Sequence, residues 1–124
     1  MTHVLVVEDD RAICDLICEA LRDRGVYAES VRNDRQAYAR ITSLPVLDGL
    51  VLDVNLGHGT TGYDIARFAR QVMPDIAIVY VSGATNEASF KAFGVPESEF
   101  LEKPFMPDEL ADAVTEKLAP CPVW

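Results

Sequence analysis

Positive charge is scarce in this sequence: 11 Lys and Arg stand against 20 Asp and Glu, a formal net charge of −9. A nucleic-acid surface needs clustered Lys and Arg, so the balance argues against that class of partner. It fits metal binding or plain solubility equally well. Long apolar runs are missing too. None approaches the ~18 residues of a membrane span, and the N-terminus "MTHVLVVED" has no signal-peptide core. The expectation is a cytoplasmic protein without a membrane partner. Cysteine is sparse: Cys14, Cys18 and Cys121 are odd in number and follow no framework spacing, as in a reducing compartment. Cys14 and Cys18 lie four apart on a predicted helix, a conceivable metal pair. With only His3 and His58 elsewhere, half-buried helix cysteines are the expectation. Phosphate-binding fingerprints are absent as well. No GxxxxGK[ST] occurs, no GxGxxG follows the first apolar run, and "YVSGA" lacks the first glycine of a GxSxG elbow.

What is present is an alternation. Short apolar runs and longer helical patterns follow one another five times along 124 residues that are 49% hydrophobic, a length suited to one domain. "HVLVV" (3–7) reads as a strand, and Ile13, Leu16, Ile17, Ala20 and Leu21 repeat at helical spacing until Gly25. "VYAESV" (26–31) is a weaker, alternating strand suited to an edge. A helix capped by Asn33 or Asp34 stops before Pro45. "GLVLD" (49–53) is the third strand, followed by a glycine-rich loop and a helix through "GYDIARFARQVM", closed by Pro74. "IAIVYVS" (76–82) is the most apolar strand and is expected to be central. A short helix over 86–93, the strand "EFLEK" (99–103) and a helix from about Pro107 to Leu118 complete the pattern. Such βα repeats predict a three-layer α/β domain on a parallel five-stranded sheet with right-handed crossovers. The expected core is 3–118, within a single domain 1–124 whose tail 119–124 is too short to be another.

The first strand runs into Glu8, Asp9 and Asp10. At ~4 Å and an effective dielectric of ~20, each like-charge pair costs on the order of 4 kcal/mol, so solvent or a cation must offset the repulsion. In an open parallel sheet, ligands bind beyond the carboxyl ends of the strands. Those ends carry Glu8 and Asp9, Asp53, Ser82 and Lys103. Any one polar residue at a strand end is unremarkable; the set together suits phosphoryl transfer. Carboxylates suit a hard cation such as Mg²⁺, lysine and serine suit phosphate oxygens, and an aspartate can act as nucleophile toward phosphorus.

With those residues in place, "VLVVEDD", "LVLD", "YVSG" and "LEKPF", in order over 3–118, make the chain resemble a response-regulator receiver domain of two-component signalling. The resemblance implies a flavodoxin-like (βα)5 fold of strand order 2-1-3-4-5. It implies a phosphoacceptor role for Asp53, with Mg²⁺ (or Mn²⁺) held by Glu8, Asp9, Asp53 and the backbone carbonyl of Asn55. Lys103 would be the phosphate-binding lysine, Ser82 the switch hydroxyl, Phe100 the switch aromatic, and Lys103–Pro104 a cis bond. Asp10 is expected to cap a helix or be solvated. The implied partners are a sensor histidine kinase or a histidine phosphotransfer protein, and a downstream protein. The chain is expected to be a monomer or weak homodimer and to act without an output domain, by switching a partner or passing the phosphoryl group onward.

Departures from the family pattern are specific. Glu8 replaces aspartate, Phe100 replaces the commoner tyrosine, and "VNLGHGTTG" after Asp53 is one residue longer and lacks Met-Pro. Its glycines, Gly57, Gly59 and Gly62, raise the cost of ordering, so ligand binding is expected to order 55–62, with His58 as a solvated loop residue. Two other functions compete. A phosphatase with an aspartyl-phosphate intermediate usually needs a second aspartate where Asn55 stands. A pseudo-receiver would lack the acceptor or the lysine, and both are present.

Overall fold

The computed structural model describes residues 2–43, 45–56, 61–83 and 87–118. Ten elements alternate: β1 (His3–Val7), α1 (Arg11–Arg22), β2 (Tyr27–Val31), α2 (Asp34–Ile41), β3 (Gly49–Asp53), α3 (Gly62–Val72), β4 (Ala77–Ser82), α4 (Glu87–Phe93), β5 (Ser98–Glu102) and α5 (Pro107–Leu118). The strands form one parallel sheet in the order β2-β1-β3-β4-β5. The expected fold and order are therefore observed. β4 lies inside the sheet between β3 and β5, as expected, and every residue of β3 and β4 is buried. No described helix is long and apolar enough to cross a membrane.

Alternate strand residues face opposite layers, as the pleat dictates. Val4, Val6, Val51, Val79 and Val81 pack with Ile17 and Leu21 of α1 and Leu110 and Val114 of α5. Leu5, Val7, Leu50, Leu52, Ile78 and Tyr80 face Ala37 and Ile41 of α2 and Ile65, Ala66 and Ala69 of α3. Each fully buried Leu or Ile is worth about 1.5–3 kcal/mol. Cys14 and Cys18 lie in the α1 side of this core and are buried, not half-buried as expected. The reason is their place on α1: with Ile17 and Leu21 they form its inner face. Burial pushes the Cys18 thiol up to about 11, so Cys18 is a packing residue and not a reactive thiolate. Cys121 falls outside the described residues.

The helix ends explain why the chain turns where it does. Asp10 is the N-cap of α1, its carboxylate accepting the Ile13 N–H at 3.2 Å, and Asn33 caps α2 through the Gln36 N–H at 2.8 Å. After α1, Gly25 takes φ +77, its N–H bonds Arg22 and the next N–H, Val26, bonds Leu21. A left-handed residue is what this closure requires, and only glycine adopts it cheaply. Asp10→Ala should lower stability by about 1 kcal/mol, with Asp10→Asn close to wild type. Urea unfolding monitored by circular dichroism measures both.

Candidate functional site

The strand order reverses between β1 and β3, and this reversal builds the site. Val7 pairs with Leu52, so the next residues, Glu8 and Asp53, emerge side by side at the carboxyl edge. Asp53 pairs with Val81 of β4, which puts Ser82 one step further out. The Lys103 N–H bonds the Ser82 carbonyl at 2.7 Å, carrying the lysine to the same edge just past β5. Asp9 follows Glu8 and is exposed, whereas Glu8, Asp53 and Ser82 are buried.

The ammonium of Lys103 donates to Glu8 Oε2 at 2.9 Å and to Asp53 Oδ2 at 3.1 Å. Asp53 Oδ1 accepts the Asn55 N–H at 2.9 Å, and Glu8 Oε1 accepts the Asp10 N–H at 3.2 Å. Both buried carboxylates are thus engaged at both oxygens. Burial pushes the Glu8 carboxyl up to about 7, against the hydrogen bond from Lys103 and with the help of the Asp53 charge. Burial alone would depress the Lys103 ammonium, but the hydrogen bond to Glu8 and the charge of Asp53 outweigh it and hold it above the ordinary lysine value. One lysine faces three acids.

Among the described residues, Glu8, Asp9 and Asp53 form a cluster whose carboxylate oxygens lie within 4.8 Å of one another. Carboxylate oxygens so close, one carboxylate being exposed, suit a hard divalent ion that keeps several waters. The Asp10 carboxylate is used in capping α1 and is not part of the cluster; only its N–H reaches the site, at Glu8. Asn55 stands beside Asp53 and is bridged to Thr61, so residues 55 and 61 close the base of the loop. Residues 57–60, and with them His58 and the expected ordering of the loop, lie outside the described residues. Lys103–Pro104 is cis. Phe100 is partly buried, its ring stacked on Phe90 of α4 at 5.5 Å.

Besides the Lys103–Ser82 backbone bond, two features went unread in the sequence. The first is the Asn55 N–H on Asp53, a backbone donor that no residue type announces. The second is Gly62. Its N–H bonds the Val54 carbonyl at 2.9 Å, and a Cβ there would stand 2.4 Å from the Asp53 carbonyl oxygen. The start of α3 therefore touches the backbone of Asp53, and only glycine permits the approach.

The family whose description is response regulator receiver domain matches residues 4–115. The chain belongs to that family. It is 27% identical over 120 residues to the response regulator SaeR of Staphylococcus epidermidis, covering 96% of this chain and 51% of that one. It is 31% identical over 114 residues to an NtrX-like response regulator of Rickettsia conorii, covering 90% and 24%. This receiver thus spans about half of the one relative and about a quarter of the other. The crystal structure of a response regulator receiver protein from Sinorhizobium medicae superposes with a TM-score of 0.89 at 31% identity, covering 94% of both chains. The resemblance drawn from the motifs and the fold it implied are thereby established.

Two predictions test the site's energetics. Gly62→Ala should destabilise the receiver by about 1–3 kcal/mol, because the methyl group meets backbone that cannot yield. Chemical denaturation measures it. The second concerns pH without divalent ions. A carboxyl whose pKa rises from 4.5 unfolded to about 7 folded contributes stability below pH ~4.5 that is lost as pH climbs through ~7. Glu8→Gln should therefore gain on wild type by roughly 1–3 kcal/mol between about pH 5 and pH 8. Thermal unfolding across that range in chelator measures the difference, and a constant gap would refute the assignment.

Proposed function

We propose that this receiver is a phosphoacceptor: Asp53 takes a phosphoryl group from a phosphohistidine of a sensor kinase or phosphotransfer protein. The observation that carries the reading is one lysine bridging Glu8 and Asp53 beside a third acid. In the transfer, an Asp53 carboxylate oxygen attacks phosphorus in line with the P–N bond. As the P–O bond forms, the P–N electron pair returns to the imidazole, leaving an acyl phosphate on Asp53. Lys103, already on Asp53, needs little movement to follow the charge onto the phosphoryl oxygens. The Asn55 N–H holds the second carboxylate oxygen, so the nucleophile enters the reaction oriented.

Glu8, Asp9, Asp53 and the Asn55 carbonyl would hold Mg²⁺ or Mn²⁺. When bound, the ion supplies positive charge where carboxylates and phosphoryl oxygens would otherwise repel. Ser82, at the end of β4, is the hydroxyl suited to a phosphoryl oxygen, and Phe100 on the neighbouring strand is the side chain that follows its movement. A ligand favouring one arrangement of both shifts the population of the pair. What the phosphorylated receiver then engages, a downstream protein or a further phosphoryl carrier, is the output of that shift.

Incubation with acetyl phosphate and Mg²⁺ should add one phosphoryl group by intact mass, and chelator or Asp53→Asn should abolish it. Equal labelling of the variant would overturn the acceptor assignment. Asp9→Asn should weaken Mg²⁺ binding at least about tenfold, ~1.4 kcal/mol, while Asp10→Asn leaves it nearly unchanged. Calorimetric titration of Mg²⁺ ranks the two, and the opposite ranking would remove Asp9 from the metal shell.

A further inference from the structure

Asn55 opens a stretch with glycines at 57, 59 and 62 and no proline before Pro74. Such a sequence does not preset the direction of its backbone. Yet both contributions of Asn55 to the site are main-chain groups: an N–H for Asp53 and a carbonyl for the ion. Some other part of the fold has to hold this peptide.

The hold begins with Thr61. Asn55 and Thr61 face each other in an antiparallel bridge, closed by the Gly62 N–H on the Val54 carbonyl at 2.9 Å. In an antiparallel pair, opposed residues either exchange their own bonds or leave the bonding to their neighbours. Here the neighbours bond, so the N–H and carbonyl of Asn55 both point away from Thr61. The N–H is found on Asp53 Oδ1 at 2.9 Å, and the carbonyl leaves from the same side of the chain. Val54 and Leu56 are buried on either side while Asn55 is exposed, which fixes the pleat.

Thr61 is in turn gripped by one residue. Asp64, the third residue of α3, accepts the Thr61 N–H and the Thr61 O–H on the same oxygen, Oδ2, each at 3.2 Å. The Asp64 N–H bonds the Thr61 carbonyl at 3.1 Å. The other carboxylate oxygen, Oδ1, is taken by Arg67, so the side chain has little freedom to turn. Every polar group of Thr61 is tied to Asp64. A carboxylate at this place ordinarily closes a helix start; this one also fixes the residue that faces Asn55.

We infer that Asp64 is a positioning residue of the phosphoryl-transfer site: through Thr61 it holds the Asn55 peptide with its N–H on Asp53 and its carbonyl on the same side. The inference rests on the phosphoacceptor and metal reading of Asp53 and Asn55, and adds the side chain that orients their main-chain partner. Asp64 acts through Thr61 and carries out no chemistry itself.

The test compares variants of the full chain by two readouts that involve no phosphoryl transfer. One is the solvent-exchange rate of the Asn55 amide in the metal-free receiver. The other is Mg²⁺ affinity by calorimetric titration at about 150 mM salt, where distant charges are screened. Asp64→Ala should speed Asn55 exchange at least about fivefold beyond any change at Val51, a core-strand amide that reports opening of the whole fold. It should also weaken Mg²⁺ binding at least about fivefold, as loss of an outer-shell support does. Asp64→Asn keeps an oxygen for Thr61 without the charge and should stay within about twofold of wild type in both. Asn33→Ala removes the corresponding cap of α2, where the Asn33 side chain accepts the Gln36 N–H at 2.8 Å, and should move neither. Should Asp64→Ala fail to fold, Thr61→Val, which deletes only the hydroxyl, carries the same test with smaller shifts. Wild-type behaviour in either readout, a loss in Asp64→Asn equal to that in Asp64→Ala, or an equal loss in Asn33→Ala would overturn the inference. Acetyl phosphate labelling separates it from the reading beneath it. Equal labelling of Asp53→Asn would remove the acceptor assignment and leave both readouts standing. A wild type that takes no Mg²⁺ would remove the metal reading, and the Asn55 amide alone would then decide.

Discussion

The bridge from Lys103 to Glu8 and Asp53 is the constraint around which the rest of this receiver is arranged. Two carboxylates that are almost wholly out of water must share one ammonium, and a third acid stands within reach of both. Taking such groups out of water costs several kcal/mol each unless partners satisfy them. Here the partners are complete for the two buried acids: each has one oxygen on lysine and one on a backbone N–H. What is left over is net charge. A pocket with three acids and one lysine is stabilised by any added cation, which is the physical sense in which it is built to receive one.

The sheet is what makes that arrangement affordable. Glu8 and Asp53 come from strands that are neighbours only because the order reverses between β1 and β3. Apolar residues fill both faces of those strands up to the last position, so the backbone beneath the carboxylates is held rigidly. Gly62 then sets α3 against the Asp53 carbonyl, tying that residue's main chain to the helix that follows. The repulsion is concentrated at the edge of a core large enough to carry it.

Much of this was legible in the residues, for a reason of scale. Period-2 and helical patterns report which face of an element is buried, and strand ends report where a parallel sheet meets solvent. Glu8, Asp53, Ser82 and Lys103 could therefore be grouped before any contact was known. What escaped were relations between backbones: the Asn55 N–H on Asp53, the approach of Gly62, and the 2.7 Å bond from Lys103 to Ser82 that delivers the lysine. These depend on register and loop path, not on side-chain type. The cysteines went astray differently. Their spacing was read correctly as one helix face, but the depth at which α1 sits against the sheet decides burial, and the heptad-like pattern does not contain it.

On the layer opposite α1, rings join α3, β4, α4 and β5, and this bears on how a change at the carboxyl edge is felt elsewhere. Tyr63, directly after Gly62, lies 5.0 Å from Tyr80; Tyr80 lies 5.8 Å from Phe90; Phe90 stacks on Phe100 at 5.5 Å. The buried Tyr80 hydroxyl accepts the Val95 N–H, fixing the turn between α4 and β5 to the middle of β4. Aromatic pairs are favourable in both offset-stacked and edge-to-face arrangements, whereas aliphatic side chains in a close-packed core open voids when they shift. A short helix held chiefly by ring contacts can be displaced at lower cost than α1 or α5, whose aliphatic faces interlock with the sheet. The elements thus differ in kind: α1, α3 and α5 meet the sheet through aliphatic packing and, at Gly62, a backbone contact, whereas α4 meets it through rings.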